Sequence, residues 1–205
     1  MTEVKTAVYP APPVNRKEVL RYAGTGSEDA ASVFLLNECL TLAKRDLRYR
    51  VAYAIYPVKE TPSGLDLGFA SVSSRDLARA LAGCERVAVF GATVGIGLDR
   101  LVARHSAQSP AKGLMLDALG SERVESLAGA FCAELAESLA LSGYALRPRY
   151  SPGYGDLPLS LQTEIFRALE LPRRVGITLN DSLLMTPSKS VTALAGIFAC
   201  PKENL

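Results

Sequence analysis

Tryptophan is absent from this chain of 205 residues, and histidine occurs once, at His105. A single imidazole excludes a histidine-rich metal site and any acid–base scheme built on two histidines. Cysteine is sparse: Cys39, Cys84, Cys132 and Cys200 lie far apart, with no Cys-x-x-Cys and no zinc-ligand spacing. Their neighbours are apolar, as in Ala130-Phe131-Cys132-Ala133, so all four read as buried free thiols of a reducing compartment. Charge of one sign is also missing. Lys and Arg number 23 against 21 Asp and Glu, and the net charge of +2 is too small for a nucleic-acid footprint. Arg147 with Arg149, and Arg173 with Arg174, are the local basic clusters, and the second reads as a solvated face. No apolar run reaches the ~18 residues of a membrane span. The opening Met1-Thr2-Glu3-Val4-Lys5 lacks the apolar core of a leader. A cytoplasmic protein is expected.

What is present is a core. Hydrophobic residues make up 48% of the chain, enough for one large domain spanning 1–205, with 1–24 as an N-terminal arm and short helix. Ala11-Pro12-Pro13 ends the extended arm, and Asn15 caps a helix from Arg16 to Tyr22 that stops near Gly24. Ser27-Glu28-Asp29 starts a longer helix, in which Val33, Leu36, Leu40 and Ala43 form one stripe through about Leu47. Arg50 to Val58 is a strand. Thr61-Pro62-Ser63-Gly64 turns it into a second strand, Leu65 to Phe69, to make a hairpin. Ser73-Ser74 caps a helix through Ala82, with Gly83 as its stop. Arg86 to Phe90 is a short buried strand, and Thr93 or Gly95 opens a helix that runs to His105. There a partial positive charge suits the helix C-terminus. Pro110 begins the next helix. Gly120-Ser121 interrupts or kinks it before a strongly helical run from Glu122 to Leu141, which Gly143 ends. Ala145 to Tyr150 is extended. Ser160 caps a helix to Leu169, Val175 to Thr178 is a strand, and Val191 to Cys200 is extended. Strands and helices do not alternate strictly, so the pattern is α+β rather than a doubly wound parallel sheet.

Few residues carry chemistry. Gly91-x-x-x-Gly95-x-Gly97 follows a strand and precedes a helix, but its spacing is not that of a dinucleotide loop and no Gly-Lys-Ser/Thr follows. A structural strand-to-helix turn is expected. Asp99 and Asp117 read as surface or capping carboxylates, and Asp156 as a turn residue or the cap of the helix after it. Ser151 and Ser190 lack a Gly-x-Ser-x-Gly context and a neighbouring histidine, so a serine hydrolase is a poor reading. The richest stretch is Arg149-Tyr150-Ser151-Pro152-Gly153-Tyr154. Arg149 offers a fork of donors to a carboxylate. Gly153 lets backbone approach a ligand, and Tyr154 presents a flat face with a polar tip. The six residues suit an amino-acid-like or nucleoside-like small molecule. They equally suit an ordinary surface turn. Met185-Thr186-Pro187-Ser188-Lys189-Ser190 reads as a proline-bearing loop between two extended segments.

The two stretches together, with Gly176-Ile177-Thr178-Leu179 between them, resemble the C-terminal activation domain of cobalamin-dependent methionine synthase. The chain is more closely similar to short stand-alone relatives of that domain. Lys17-Glu18-Val19-Leu20-Arg21-Tyr22 resembles the family's opening helix. Ala92-Thr93-Val94-Gly95, Asp99-Arg100 and Leu116-Asp117-Ala118-Leu119-Gly120-Ser121 resemble its middle, so the likeness covers nearly the whole chain.

The resemblance implies a curved central antiparallel sheet flanked by helices. It implies S-adenosylmethionine as ligand, held by Arg149, Gly153 and Tyr154, with Ser151 contributing through its backbone. Arg149 would pair with the methionine carboxylate, and Tyr154 would line the space between ligand and corrin. The implied role is reductive remethylation: an oxidised cobalamin receives an electron, and S-adenosylmethionine restores its methyl group. The chain has no Asp-x-His-x-x-Gly sequence for binding cobalt, so cobalamin would arrive on a partner, a methionine synthase or another corrinoid protein. The family's acidic ligand on the long helix falls near Gly129 here, a second acidic position falls near Gly143, and an aromatic residue beyond the last strand has no counterpart. Glu125, Glu134 or Glu137 would compensate. Two alternatives stand beside accessory reactivation: a binding module that keeps the fold but has lost S-adenosylmethionine, and an independent methyltransferase.

Overall fold

A computed structural model describes residues 2–25 and 29–200. The chain opens with β1 (Lys5–Val8), α1 (Arg16–Tyr22), α2 (Ala30–Ala43) and β2 (Arg50–Pro57). A small curl of β3 (Lys59–Thr61), β4 (Gly64–Asp66) and β5 (Ser71–Val72) leads to α3 (Arg75–Ala80) and β6 (Arg86–Thr93). Then come α4 (Ile96–Ser106), the 31-residue α5 (Pro110–Ala140) and β7 (Tyr144–Leu146). The chain closes with α6 (Leu161–Leu169), α7 (Leu171–Arg174), β8 (Thr178–Leu179), β9 (Met185–Thr186) and β10 (Ser190–Ala199).

Five strands form one antiparallel sheet in the order β1-β2-β6-β10-β7. The fold is α+β: a curled antiparallel half-barrel with helices on its faces. Two cores lie against the sheet. Ala88 and Phe90 of β6 point into the core of α1, α2, α4 and α5, while Val87 and Val89 point into the core of α3, α6 and α7. Being covered on both faces, β6 reads as an apolar run instead of an alternation.

Local signals set most element ends. Asn15 Oδ1 accepts from Glu18 N, Ser74 Oγ from Leu77 N, and Ser109 Oγ from Lys112 N, each a helix N-cap. The start of α2 is capped by Asp29 through Ser32 N at 2.9 Å; Ser27 and Glu28, expected to share that role, lie outside the described residues. The glycines after β6 are structural, as expected. A side-chain carbon added at Gly97 would lie 2.5 Å from the backbone oxygen of Asp46, and one at Gly95 would lie 3.2 Å from Arg48 Cβ. Backbone meets backbone at Gly97, so Gly97→Ala is expected to cost about 1–3 kcal/mol. Urea unfolding would read this as a lower midpoint at unchanged slope.

Several expectations need correction. The strand Arg50–Pro57 does not form a hairpin with Leu65–Phe69. It is an inner strand paired with β1 and β6, while β4 pairs with β3 across the Thr61–Gly64 turn. Pro57 is the last residue of β2, and Val58 N still donates to Glu85 O at 3.0 Å before the chain leaves for β3. The helix from Pro110 is not broken at Gly120-Ser121. Leu98 and Lys189 press against Gly120, where any larger side chain would collide, and Ser121 Oγ bonds back to Asp117 O at 3.2 Å. Glycine here permits close packing and does not bend the helix. Ser160 starts α6 without a side-chain cap bond, and the strand expected at Val175 begins only at Thr178. Cys39 is buried, and burial pushes its thiol up to about 11; Cys84 and Cys132 are half-buried. Cys200 is exposed at the end of β10, against expectation. Arg173 is exposed as expected and Arg174 is half-buried; both pair with Glu170. Among the described residues, no helix is long and apolar enough to cross a membrane.

Candidate functional site

The segment after β7 is held at both ends. At its start, Tyr150 and Leu194 exchange backbone hydrogen bonds of 2.7 and 2.8 Å, which fixes Arg149 and Ser151 beside β10. The turn then closes on itself: Gly153 N donates to Leu157 O at 2.9 Å, and Leu157 N donates to Tyr154 O at 3.0 Å. Gly153 has a φ of +90°, a conformation that disfavours any side chain. At its far end, Asp156 accepts from Ser74 Oγ, Arg75 N and Asp76 N, at 2.5, 2.8 and 3.2 Å. It therefore caps α3, across 82 residues of sequence, not the helix that follows it. The Ser74 hydroxyl and these amides hold its carboxyl below the usual aspartate range.

The second sequence motif is pinned from the helices. Asp99 of α4 accepts from Ser188 N and Ser188 Oγ, both at 2.8 Å. Asp117 of α5 pairs with Lys189 Nζ at 2.8 Å, and Ser190 Oγ donates to Thr93 Oγ1 at 2.8 Å. Neither aspartate is a helix cap. Both bind this loop just ahead of β10.

Between these segments lies a cleft of about 440 Å³. Its walls are Tyr22 of α1, Glu125 of α5, Arg149 to Pro152, Tyr154, Gln162 of α6, Met185, and Val191 and Thr192 of β10. That volume is within the range of small-molecule sites. The structure thus brings Arg149, Ser151 and Tyr154 to one cleft. Gly153 shapes the turn behind them and does not line it. Tyr154 stands at the mouth, 67% exposed.

Arg149 Nη2 pairs with Glu125 Oε2 at the cleft wall. Of the acidic residues expected to compensate on the long helix, Glu125 is the one placed at the cleft. Gly129, the expected equivalent position, is exposed with open space around it, and Gly143 lies in the turn beyond α5. Cys132 is on the same helix; burial raises its thiol while the Arg149 charge opposes that.

Two site residues escape a sequence reading. Gln162 and Thr192 are 6% and 2% exposed, and both line the cleft. Among the described residues, neither Gln162 Oε1 nor Thr192 Oγ1, both buried, has a hydrogen-bond partner. A signal for the first existed: Gln162 is three, four and seven residues before Ile165, Phe166 and Leu169, so it occupies the apolar face of α6.

A solved chain described as "Crystal Structure of the MetH Reactivation Domain bound to AdoHcy" superposes with a TM-score of 0.67 at 16% identity. The match covers 99% of this chain and 80% of that one. The two share a fold. No protein-family model and no curated protein matches the sequence. The curled half-barrel and flanking helices therefore match the fold of the MetH reactivation domain, at low sequence identity.

Proposed function

We propose that the protein binds S-adenosylmethionine in the cleft at Arg149 and serves the reductive remethylation of cobalamin held by a partner methionine synthase. The observation that carries this reading is the pairing of Arg149 with Glu125 at the cleft wall, in a fold shared with a domain solved with AdoHcy. A guanidinium beside a carboxylate complements the carboxylate and ammonium of an amino acid. Arg149 would take the ligand's carboxylate and Glu125 its ammonium. The ligand supplies the methyl group; the protein's contribution is to bind and orient it. Tyr154, at the mouth, would meet the corrin face presented by the partner. The electron comes from an outside donor.

The test is reconstitution. This protein, a partner holding oxidised cobalamin, a reductant and methyl-labelled S-adenosylmethionine are combined, and label on cobalt is measured. Label above that of a mixture lacking this protein supports the reading, and equal label refutes it. A second reading, a binding module without S-adenosylmethionine, draws on the same pair: Arg149 already has a partner in Glu125. Calorimetry with S-adenosylmethionine separates the two, because only the first gives heat of binding.

A further inference from the structure

The cleft floor contains an unusual cost. Buried side-chain oxygens are nearly always hydrogen-bonded, because burying one without a partner forfeits its bonds to water. Gln162 Oε1 and Thr192 Oγ1 both lack partners among the described residues, and they come from separate elements, α6 and β10. Thr192 lies two residues before Leu194 on β10 and so shares its face of the sheet, and the Leu194 side chain packs in the core that also takes Ile165 and Phe166 of α6. Both residues thus lie in the layer between sheet and α6, where apolar side chains would have packed without penalty.

We infer that Gln162 and Thr192 form a second, neutral subsite that hydrogen-bonds the nucleoside part of the ligand and sets the specificity of the cleft. The inference rests on the binding proposed above. The charged Arg149–Glu125 wall matches the charged end of an amino acid. Two uncharged oxygens match uncharged O–H or N–H donors, and these belong to the nucleoside. Gln162 Oε1 accepts only, so the group it meets must be a donor. Thr192 Oγ1 donates or accepts. A ligand lacking such groups leaves both oxygens unsatisfied and is rejected.

The test uses the full chain with Gln162→Leu and Thr192→Val, titrated with AdoHcy and S-adenosylmethionine by calorimetry. Each variant is expected to bind about ten-fold more weakly than the parent, the effect of one neutral hydrogen bond. The loss should be the same at low and high salt, because no charge is removed. Without ligand, Thr192→Val should unfold at the same temperature as the parent or higher, since it deletes an unsatisfied buried hydroxyl. Parent binding with both variants within two-fold of it would overturn the subsite and leave the proposed function standing. A parent that binds neither compound would overturn both. Thr192→Val melting several degrees lower without ligand would show that the hydroxyl is satisfied internally, and would also overturn the subsite.

Discussion

Arg149→Ala is expected to weaken binding of AdoHcy and S-adenosylmethionine by about thirty-fold or more, with little change in the stability of the free protein. The two halves of this expectation have different physical sources. In the free protein Arg149 pairs with Glu125, but the side chains are 29% and 42% exposed. A pair so open to water contributes no more than about 1 kcal/mol, so its loss barely shifts unfolding. In the complex the ligand displaces water from the wall. Truncating one member of a desolvated charged hydrogen bond then costs about 2 kcal/mol or more, which is the thirty-fold. Calorimetry measures the first quantity and thermal unfolding the second. Affinity within two-fold of the parent would remove Arg149 from the site. Glu125→Gln should weaken binding less, because it keeps the shape and one acceptor while losing the charge that faces an ammonium. Lowered stability without lowered affinity in both variants would recast the pair as a structural clamp between α5 and the Arg149 turn.

The turn at the cleft was legible in the sequence, and the reason is local. Arg149, Ser151, Gly153 and Tyr154 fall within one turn, whose proline and glycine mark it. The helices α1, α4 and α6 and the strands β2, β6 and β10 follow from local apolar pattern. What escaped depends on residues far apart. Glu125 is 24 residues from Arg149, on a helix that also offers Glu134 and Glu137, and only the packing of α5 against β7 decides which one reaches the cleft. The hairpin expected from Arg50 to Phe69 failed for the same reason. Its first strand is buried on both faces and takes its partners from β1 and β6, whereas the short strand that follows pairs with its near neighbours β3 and β5. The expected break at Gly120 came from weighing helix propensity alone, where close packing of Leu98 and Lys189 decides the matter.

The largest expected loss of stability lies away from the cleft, at a pair of charges the sequence hides. Glu122 and Arg123 are adjacent on α5, with side chains 3% and 1% exposed. Arg123 is four residues from both Leu119 and Leu127, on the buried side of the helix. Burial alone would lower the basicity of its guanidinium, but the bonds to Glu122 outweigh this and hold it protonated. The pair also reaches out. Arg123 Nη2 donates to Pro13 O at 2.8 Å and Nη1 to Pro12 O, while Asn15 N donates to Glu122 Oε1 at 2.9 Å. The N-terminal arm is thus bonded to α5 at the point where α1 begins. Glu122→Leu leaves a buried cation uncompensated and is expected to cost about 3–5 kcal/mol. That is a large part of the ~5–15 kcal/mol that stabilises a typical domain. The double change Glu122→Leu with Arg123→Met removes both charges and should cost less than Glu122→Leu alone, because no stranded charge remains. Denaturant unfolding of the three proteins tests this order. If the double variant is the least stable, the arm contacts matter more than the buried charge. The consequence extends to function through Tyr22, the last residue of α1 and part of the cleft wall. A variant that stays folded but frees the arm should therefore also bind AdoHcy more weakly, although neither altered residue touches the cleft.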